Sequence, residues 1–416
     1  MAWAGRPLPP WTRVVLAAAG MWLATRLAYV ALTYLAVVLS APGRQSFPPD
    51  LLLQRWQRLD TKWYIMIAHY GYWTPTAATF ARDGGQMPTA FFPLYPVLIA
   101  AMSHLLGDTQ RILSALLVAN LGTLLAFVGV GLLAAGEDWP EAGPRAVRVG
   151  LAYPLAFFLT AGYSDGLFFG LAAFTLFFAR RGRWYPAMIC ALLAGLTRIT
   201  ALVLILPLAW EYVRQQGWLG QTFWRKLRLR LWRTWARLLG SVGTGALVVA
   251  AAPLGLGIYM RYLAVTFHDP LTFVHAEQRG WYHVSLLPWQ SFGMNLHNFT
   301  SSPAWSYPQA QQLVNTLPVV IFALLTLVAA RRMPMAFTLY MLGLLYVSIA
   351  SPTVYVGNTN IFSSAGRFLI PAAPIYLVLA RWTEKRPALH ALVVDGGLLV
   401  QATLATLWLA VGAYII

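Results

Sequence analysis

Long apolar runs recur along the whole chain. Trp11–Leu39, Ile112–Ala134, Gly240–Ala264, Gln311–Ala330, Met335–Ala350, Arg367–Ala380 and Ala388–Ile416 read as membrane spans, because about 20 apolar residues in a helix cross a hydrocarbon core. Shorter runs lie between them and are interrupted. Val149–Gly162 and Ser164–Ala179 meet at Tyr163-Ser164-Asp165-Gly166, and Pro186–Leu196 and Ile199–Tyr212 meet at Thr197-Arg198. A run of about eleven helical residues rises only about 16 Å, half a bilayer core. Each pair is therefore one long tilted helix or two short helices meeting at a membrane cavity. The fold class that follows is an all-α polytopic membrane protein, a single domain over residues 1–416 with about eleven crossings.

Basic residues orient the spans, since Lys and Arg concentrate on the cytoplasmic side. Arg180, Arg181 and Arg183 form one cluster, and Arg225, Lys226, Arg228, Arg230, Arg233 and Arg237 form another. Both flank residues 186–212, so that segment goes in and returns, with Arg198 at its outer apex. The same logic places Asp165 at the outer apex of the preceding pair and the N-terminus in the cytoplasm. Phe91–Leu106, with Pro93 and Pro96, breaks the parity if it crosses and is expected as a half-inserted outer segment. Residues 221–239 form an amphipathic basic helix on the cytoplasmic side, which either docks on anionic lipid or only helps to fix orientation.

Composition supports this class. Hydrophobic residues make up 59% of the 416 and charged ones 10%, and mean hydropathy is +0.60, against about 25% charged for soluble domains. The net charge of +17 does not point to nucleic acid, because the basic residues sit beside apolar runs. Cys190 is the single cysteine, so no disulfide forms within the chain.

Two outer loops are long, Ala41–Ala90 and Val265–Gln311, and loops of that length usually carry function. In the first, Trp56, Leu59, Trp63, Ile67 and Tyr70 recur at helical spacing. This stripe lays the segment on the membrane surface and sets Asp60 at the water–lipid boundary, with Lys62 and His69 nearby. Asp165, Arg198 and Arg367 are expected at the same outer level, and ionisable groups at membrane depth are expensive and usually functional. An acid beside several cations suits a phosphate-linked substrate. The arginines would hold phosphate, and the carboxylate would accept a proton.

Six segments, in order, resemble the PIG-V-like mannosyltransferases. They are WQRLDTKWYIMIAHYGYW (56–73), AFFPLYPVL (90–98), YSDGLF (163–168), LTRI (196–199), HDPLTFVHAEQRGW (268–281) and GRFLIPAAPIYL (366–377). The match departs from the family in the Arg-Leu pair before Asp60, in Asp165 where Glu is usual and in Ala201 where Gly is common. The resemblance implies a GT-C-type integral-membrane glycosyltransferase that uses a polyprenyl-phosphate-linked sugar on the non-cytoplasmic side. It implies Asp60 as catalytic residue, and the compactness of the chain is similar to bacterial homologues in the plasma membrane.

Within that reading Asp60 deprotonates an acceptor hydroxyl and the product is inverted. Arg367, Arg198 and Lys62 hold the donor phosphate. Asp165, His69, His275, Gln278, Trp281 and Tyr95 are candidates for binding sugar, acceptor or the polyprenyl chain, along with Phe91 and Phe92. No metal or other cofactor is expected, because no second carboxylate pairs with Asp60 in sequence and His268, His275 and His283 lack ligand spacing. The expected partners are the polyprenyl-phosphate-sugar donor, a glycan, glycolipid or protein acceptor, and membrane lipid. A lipid-linked-sugar flippase or secondary transporter has the same outline but would keep its charges near the midplane. A non-catalytic subunit would not need Asp60. Arg26 either contacts lipid phosphate or pairs with an acid.

Overall fold

A computed structural model describes residues 9–40, 46–76, 84–108, 111–137, 142–218 and 243–412. The amphipathic stretch 221–239 lies outside the described residues. In chain order the helices are α1 (Pro10–Ser40), α2 (Pro49–Gln54), α3 (Asp60–Tyr70), α4 (Leu94–Leu105), α5 (Arg111–Ala135), α6 (Ala142–Leu151), α7 (Asp165–Arg180), α8 (Trp184–Gly195), α9 (Ile205–Gln215), α10 (Val248–Phe267), α11 (Thr272–Gly280), α12 (Pro288–Ser301), α13 (Tyr307–Arg332), α14 (Met335–Ala350), α15 (Ala365–Phe368), α16 (Ala373–Trp382) and α17 (Pro387–Val411). Among the described residues the only bridge of strand type is the isolated pair His283–Thr353.

The chain is an all-α polytopic membrane protein. Among the described residues, five helical segments are long and apolar enough to cross a bilayer: α1, α5, Thr244–Phe267, α13 and α17. The remaining membrane-level helices are shorter, as the interrupted runs require. α5 and α7 pack most closely, through small residues that let the backbones approach. A Cβ on Gly122 would lie 2.6 Å from the Leu167 backbone, and one on Gly170 2.8 Å from the Gly122 carbonyl oxygen. α8 meets α10 the same way, Gly195 against Ala252 and Gly255 against Leu192.

Three boundaries differ from expectation. Val149–Gly162 is helical only to Leu151. From there to Ser164 the chain is irregular, with one 3₁₀ turn at Ala156–Leu159. Arg367 does not begin a span. It sits on the single turn α15, and Leu369–Ala372 separates that turn from α16. The stripe from Trp56 to Tyr70 is not one helix, because α2 ends at Gln54 and α3 starts at Asp60. Leu59 between them takes φ +49°, a conformation that no helix continues through. Trp63 and Ile67 are buried against α4 and α5, whereas Leu59 and Tyr70 are exposed. α3 is thus packed into the protein and does not lie flat on its surface.

Irregular backbone at membrane depth persists only where its polar groups find partners. Side chains of neighbouring helices supply them here. Thr123 Oγ1 donates to the Leu159 carbonyl (2.8 Å), Asn120 to Thr160 (3.2 Å), and Gln401 Nε2 to both Leu151 (2.9 Å) and Tyr153 (2.6 Å). Arg26 Nη1 donates to Thr160 Oγ1 at 2.8 Å, so this arginine braces the same segment. The break before α16 is held by three tyrosines. Tyr376 donates to the Ile370 carbonyl, Tyr340 to Pro371 and Tyr153 to Gly366.

Charge separates the two ends of the bundle. At one end Arg180 joins Glu137 (2.7 Å) and Glu211 (2.9 Å), and Arg214 closes on Glu211 (2.7 Å). At the other end lie the first residues of α3 and α7, the α8–α9 break and α15. Replacing Gln401 by Leu keeps the volume and strips the Leu151 carbonyl of its side-chain partner, at about 1–3 kcal/mol, while the Tyr153 carbonyl keeps its 2.8 Å bond from Ala156 N. Gln401→Leu is therefore expected to lower the thermal unfolding midpoint in detergent by a few degrees, while Leu399→Val on the exposed face of α17 leaves it in place.

Candidate functional site

Four charged side chains from distant parts of the sequence meet at that other end. Asp60 and Asp165 are each the first residue of a helix, α3 and α7, where an acid is favoured by the helix dipole. Arg198 stands at the α8–α9 break, just beyond the C-terminus of α8, where a cation is favoured. Arg367 lies on α15, which starts after Ser364 in a left-handed conformation at φ +64°.

Arg367 Nη2 donates to Asp60 Oδ2 at 2.9 Å, and its Nε lies 3.6 Å from Asp165 Oδ1. Arg198 Nη1 reaches the same Asp165 oxygen at 3.2 Å and donates to Ser164 Oγ at 3.3 Å. Tyr64 completes the chain with a 2.8 Å hydrogen bond to Ser164 Oγ. Tyr163 and Phe368 lie against the Arg367 guanidinium, and Phe368 lies against that of Arg198 as well. Asp165 is 1% exposed. It is the shared counterion of two arginines and serves to position them.

Asp60, Arg198 and Arg367 line a cavity of about 360 Å³. Tyr64, Phe91, Glu277, Trp281 and His283 form other parts of its wall. A second, apolar recess of about 590 Å³ lies on the far side of the Phe91–Leu94 segment, lined by Ile67, Gly71, Pro93, Val97, Leu196 and Tyr259 among others. The partition between the two is thin. Leu94 N donates to the Leu196 carbonyl at 3.0 Å, and the next two residues, Thr197 and Arg198, face the polar cavity.

Of the candidates read from the sequence, Asp60, Arg198, Arg367 and Trp281 line this cavity, and Asp165 lies directly behind it. The others are placed elsewhere. Lys62 is exposed, with its ammonium over the Trp63 ring. His69 is exposed at the far end of α3 with its ring tilted against that of Tyr70, about 13 Å along the helix from Asp60. His275 pairs with Asp269 (2.8 Å) on the outer surface, and Gln278 is exposed. Tyr95 is fully buried behind Tyr64 and donates to the Ala115 carbonyl, while its neighbours Phe91 and Phe92 reach the cavity wall.

One carboxyl in the wall escaped the sequence reading. Glu277 lies between His275 and Gln278 and shares a helix face with Trp281 four residues on, a spacing that was the one available signal. Its side chain is 41% exposed, but it faces a recess walled by protein and not open solvent. That desolvation, with the Asp60 charge adding to it, pushes the Glu277 carboxyl up to about 7, while Arg198 and Arg367 pull it the other way. Among the described residues no three His, Cys, Asp or Glu side chains gather as a metal site. The Asp60 and Asp165 carboxylates are engaged by guanidinium groups.

As it stands, the cluster balances two carboxylates against two cations, with Glu277 across the cavity from it. An arriving phosphate can compete for the guanidinium groups, first for Arg198, whose side chain is 18% exposed against 9% for Arg367. Removing the shared acid while keeping its shape takes the carboxylate partner from Arg198 and leaves Arg367 with Asp60 alone, at about 3–5 kcal/mol for a broken buried pair. Asp165→Asn is expected to show this as a lowered unfolding midpoint in detergent, with Asp108→Asn on the surface as the unaffected control.

No protein-family model matches the sequence, and no curated protein matches it. In fold the chain is similar to the crystal structure of ArnT from Cupriavidus metallidurans bound to undecaprenyl phosphate, at 17% identity and a TM-score of 0.48, covering 93% of this chain and 69% of that one. The likeness concerns the course of the chain and does not bear on the chemistry of the cavity.

Proposed function

We propose that the protein is an integral-membrane glycosyltransferase of the GT-C type. It moves a mannose, or a closely similar hexose, from a polyprenyl-phosphate-linked donor to an acceptor hydroxyl on the non-cytoplasmic side. The observation that carries this reading is the juxtaposition just described: Asp60 and two arginines face a polar cavity, and an apolar recess lies one strand of backbone away. A lipid-linked sugar phosphate needs that combination. Its hydrocarbon chain fits the apolar recess, its phosphate meets Arg198 at the partition, and its sugar enters the polar cavity.

In the reaction the acceptor hydroxyl attacks the anomeric carbon from the face opposite the phosphate, so configuration inverts. The bond from that carbon to the phosphate oxygen breaks, and the polyprenyl phosphate leaves with one more negative charge. Arg198, backed by Arg367, stabilises that charge as it develops. The hydroxyl proton passes to Asp60. Arg367 holds Asp60 in direction through its 2.9 Å bond, and Leu59 at φ +49° fixes where the helix carrying Asp60 begins. The bias of basic residues supports an orientation with the N-terminus and the Arg180 end in the cytoplasm and the cavity outside, as in a bacterial plasma membrane.

The charges at the cavity gather at one end of the bundle, which favours this reading over a flippase or transporter with midplane charges. Purified protein should transfer or slowly hydrolyse mannose from a short-chain polyprenyl-phosphate-mannose, with native membrane extract as acceptor pool. Asp60→Asn should lose about 10²–10⁴-fold in turnover while still binding donor, and Arg198→Gln about 10²–10³-fold. EDTA should leave the rate in place. Wild type that binds the donor and never turns it over would shift the assignment to a flippase or an accessory subunit.

A further inference from the structure

Glu277 and His283 form a wall of the cavity that the mechanism above leaves unused. Glu277 Oε2 lies 3.6 Å from His283 Nε2. The other ring nitrogen, Nδ1, lies 2.9 Å from the Ser351 carbonyl oxygen. A carbonyl only accepts, so Nδ1 carries the proton, and in the neutral ring Nε2 presents a lone pair toward Glu277. Burial lowers the His283 pKa, against the raising effect of the Ser351 carbonyl, and so favours that neutral ring.

The backbone holds this geometry firmly. Trp281 and His283 both reach the cavity, and Tyr282 between them carries the strain at φ +56°. Val354 N donates to the Tyr282 carbonyl (3.0 Å), Val284 N donates to Pro352 (3.1 Å), and His283 bridges to Thr353. Strain of this kind persists where the surroundings overdetermine it, and it clusters at binding sites.

A protonated carboxyl and a neutral imidazole nitrogen present one donor and one acceptor side by side. A hydroxyl group is their complement, because its oxygen accepts while its proton donates. The 3.6 Å gap leaves the pair open to such a bridge. The charged groups facing Glu277 are Asp60 from α3, Arg198 from the α8–α9 break and Arg367 from α15, and the titratable neutral one is His283. The Pro88–Ala90 turn packed against α11 brings none.

We propose that Glu277 and His283 seat a second hydroxyl of the acceptor beside the one that attacks, so that the acceptor is a diol such as a sugar ring and not an isolated alcohol. This deepens the transferase reading and rests on it. The seat needs the proton on Glu277, so it is present at lower pH and is lost as pH rises through about 7.

The test measures mannose transfer from a short-chain polyprenyl-phosphate-mannose to octyl α-mannoside and to octanol, as a ratio, from pH 5.5 to 8.5. Wild type should favour the mannoside and lose that preference with rising pH. Glu277→Ala should lower the ratio about tenfold, the worth of one good hydrogen bond. Glu277→Gln keeps an N–H donor and should restore much of the ratio while removing its pH dependence. An unchanged ratio in Glu277→Ala, or a pH dependence that survives in Glu277→Gln, overturns the proposal. So does a wild type that hydrolyses the donor but transfers to neither compound. A wild type inert toward the donor overturns the transferase reading and this inference with it.

Discussion

Asp165 is the charge on which the site depends. Two guanidinium groups converge on one of its oxygens, and one of those arginines also holds Asp60. Removing several ions from water costs several kcal/mol each, and a single pair at an effective dielectric near 20 returns only about 4 kcal/mol. The cluster is tolerable because each charge has more than one opposite or dipolar neighbour. Both acids begin helices and Arg198 follows the end of one, so backbone dipoles act in the same sense. The four elements carrying these residues are thereby tied together, and any shift of one exposes an unpaired charge.

That arrangement requires helices to end inside the protein. α7 begins at Asp165 only because residues 152–164 abandon helical structure before it, and Arg367 faces the cavity only because α15 is a single turn. Each break frees carbonyls that lipid cannot satisfy. Thr123, Asn120 and Gln401 serve one break, and Tyr153, Tyr340 and Tyr376 serve the other. Polar side chains scattered through apolar spans thus have a common purpose, which is to let the backbone be irregular where the site needs it. Arg26 belongs with them, since its bond to Thr160 braces the stretch that leads to Asp165.

The apolar recess and the polar cavity share a wall, and this is what separates the region from an ordinary buried ion cluster. Phe91 and Phe92 turn to the polar side, while Pro93 and Val97 turn to the apolar side. One short segment therefore separates an apolar recess from a charged one. Tyr259 supports it from behind by donating to the Thr89 carbonyl at 2.8 Å.

The long spans were legible in the amino-acid order alone, because a bilayer demands a length and an apolarity that composition displays directly. Trp11–Leu39, Ile112–Ala134 and Gln311–Ala330 each fall within one long helix, and the breaks near Asp165 and Arg198 fall where polar residues interrupt apolar runs. The spacing of charges along the chain also marked Asp60, Asp165, Arg198 and Arg367 as unusual. Their pairing was not legible, since Asp60 and Arg367 are 307 residues apart and nothing local selects one partner over Lys62 or Arg58. The helical stripe from Trp56 failed because Leu59 adopts a backbone angle that no pattern announces. Glu277 stayed hidden between two more conspicuous neighbours, and only the packing of α11 decided that its face, and not that of His275 or Gln278, turns to the cavity. Membrane partition is a property of each segment by itself, and so the sequence determines it. The cavity is a property of several segments at once, and tertiary packing decided it.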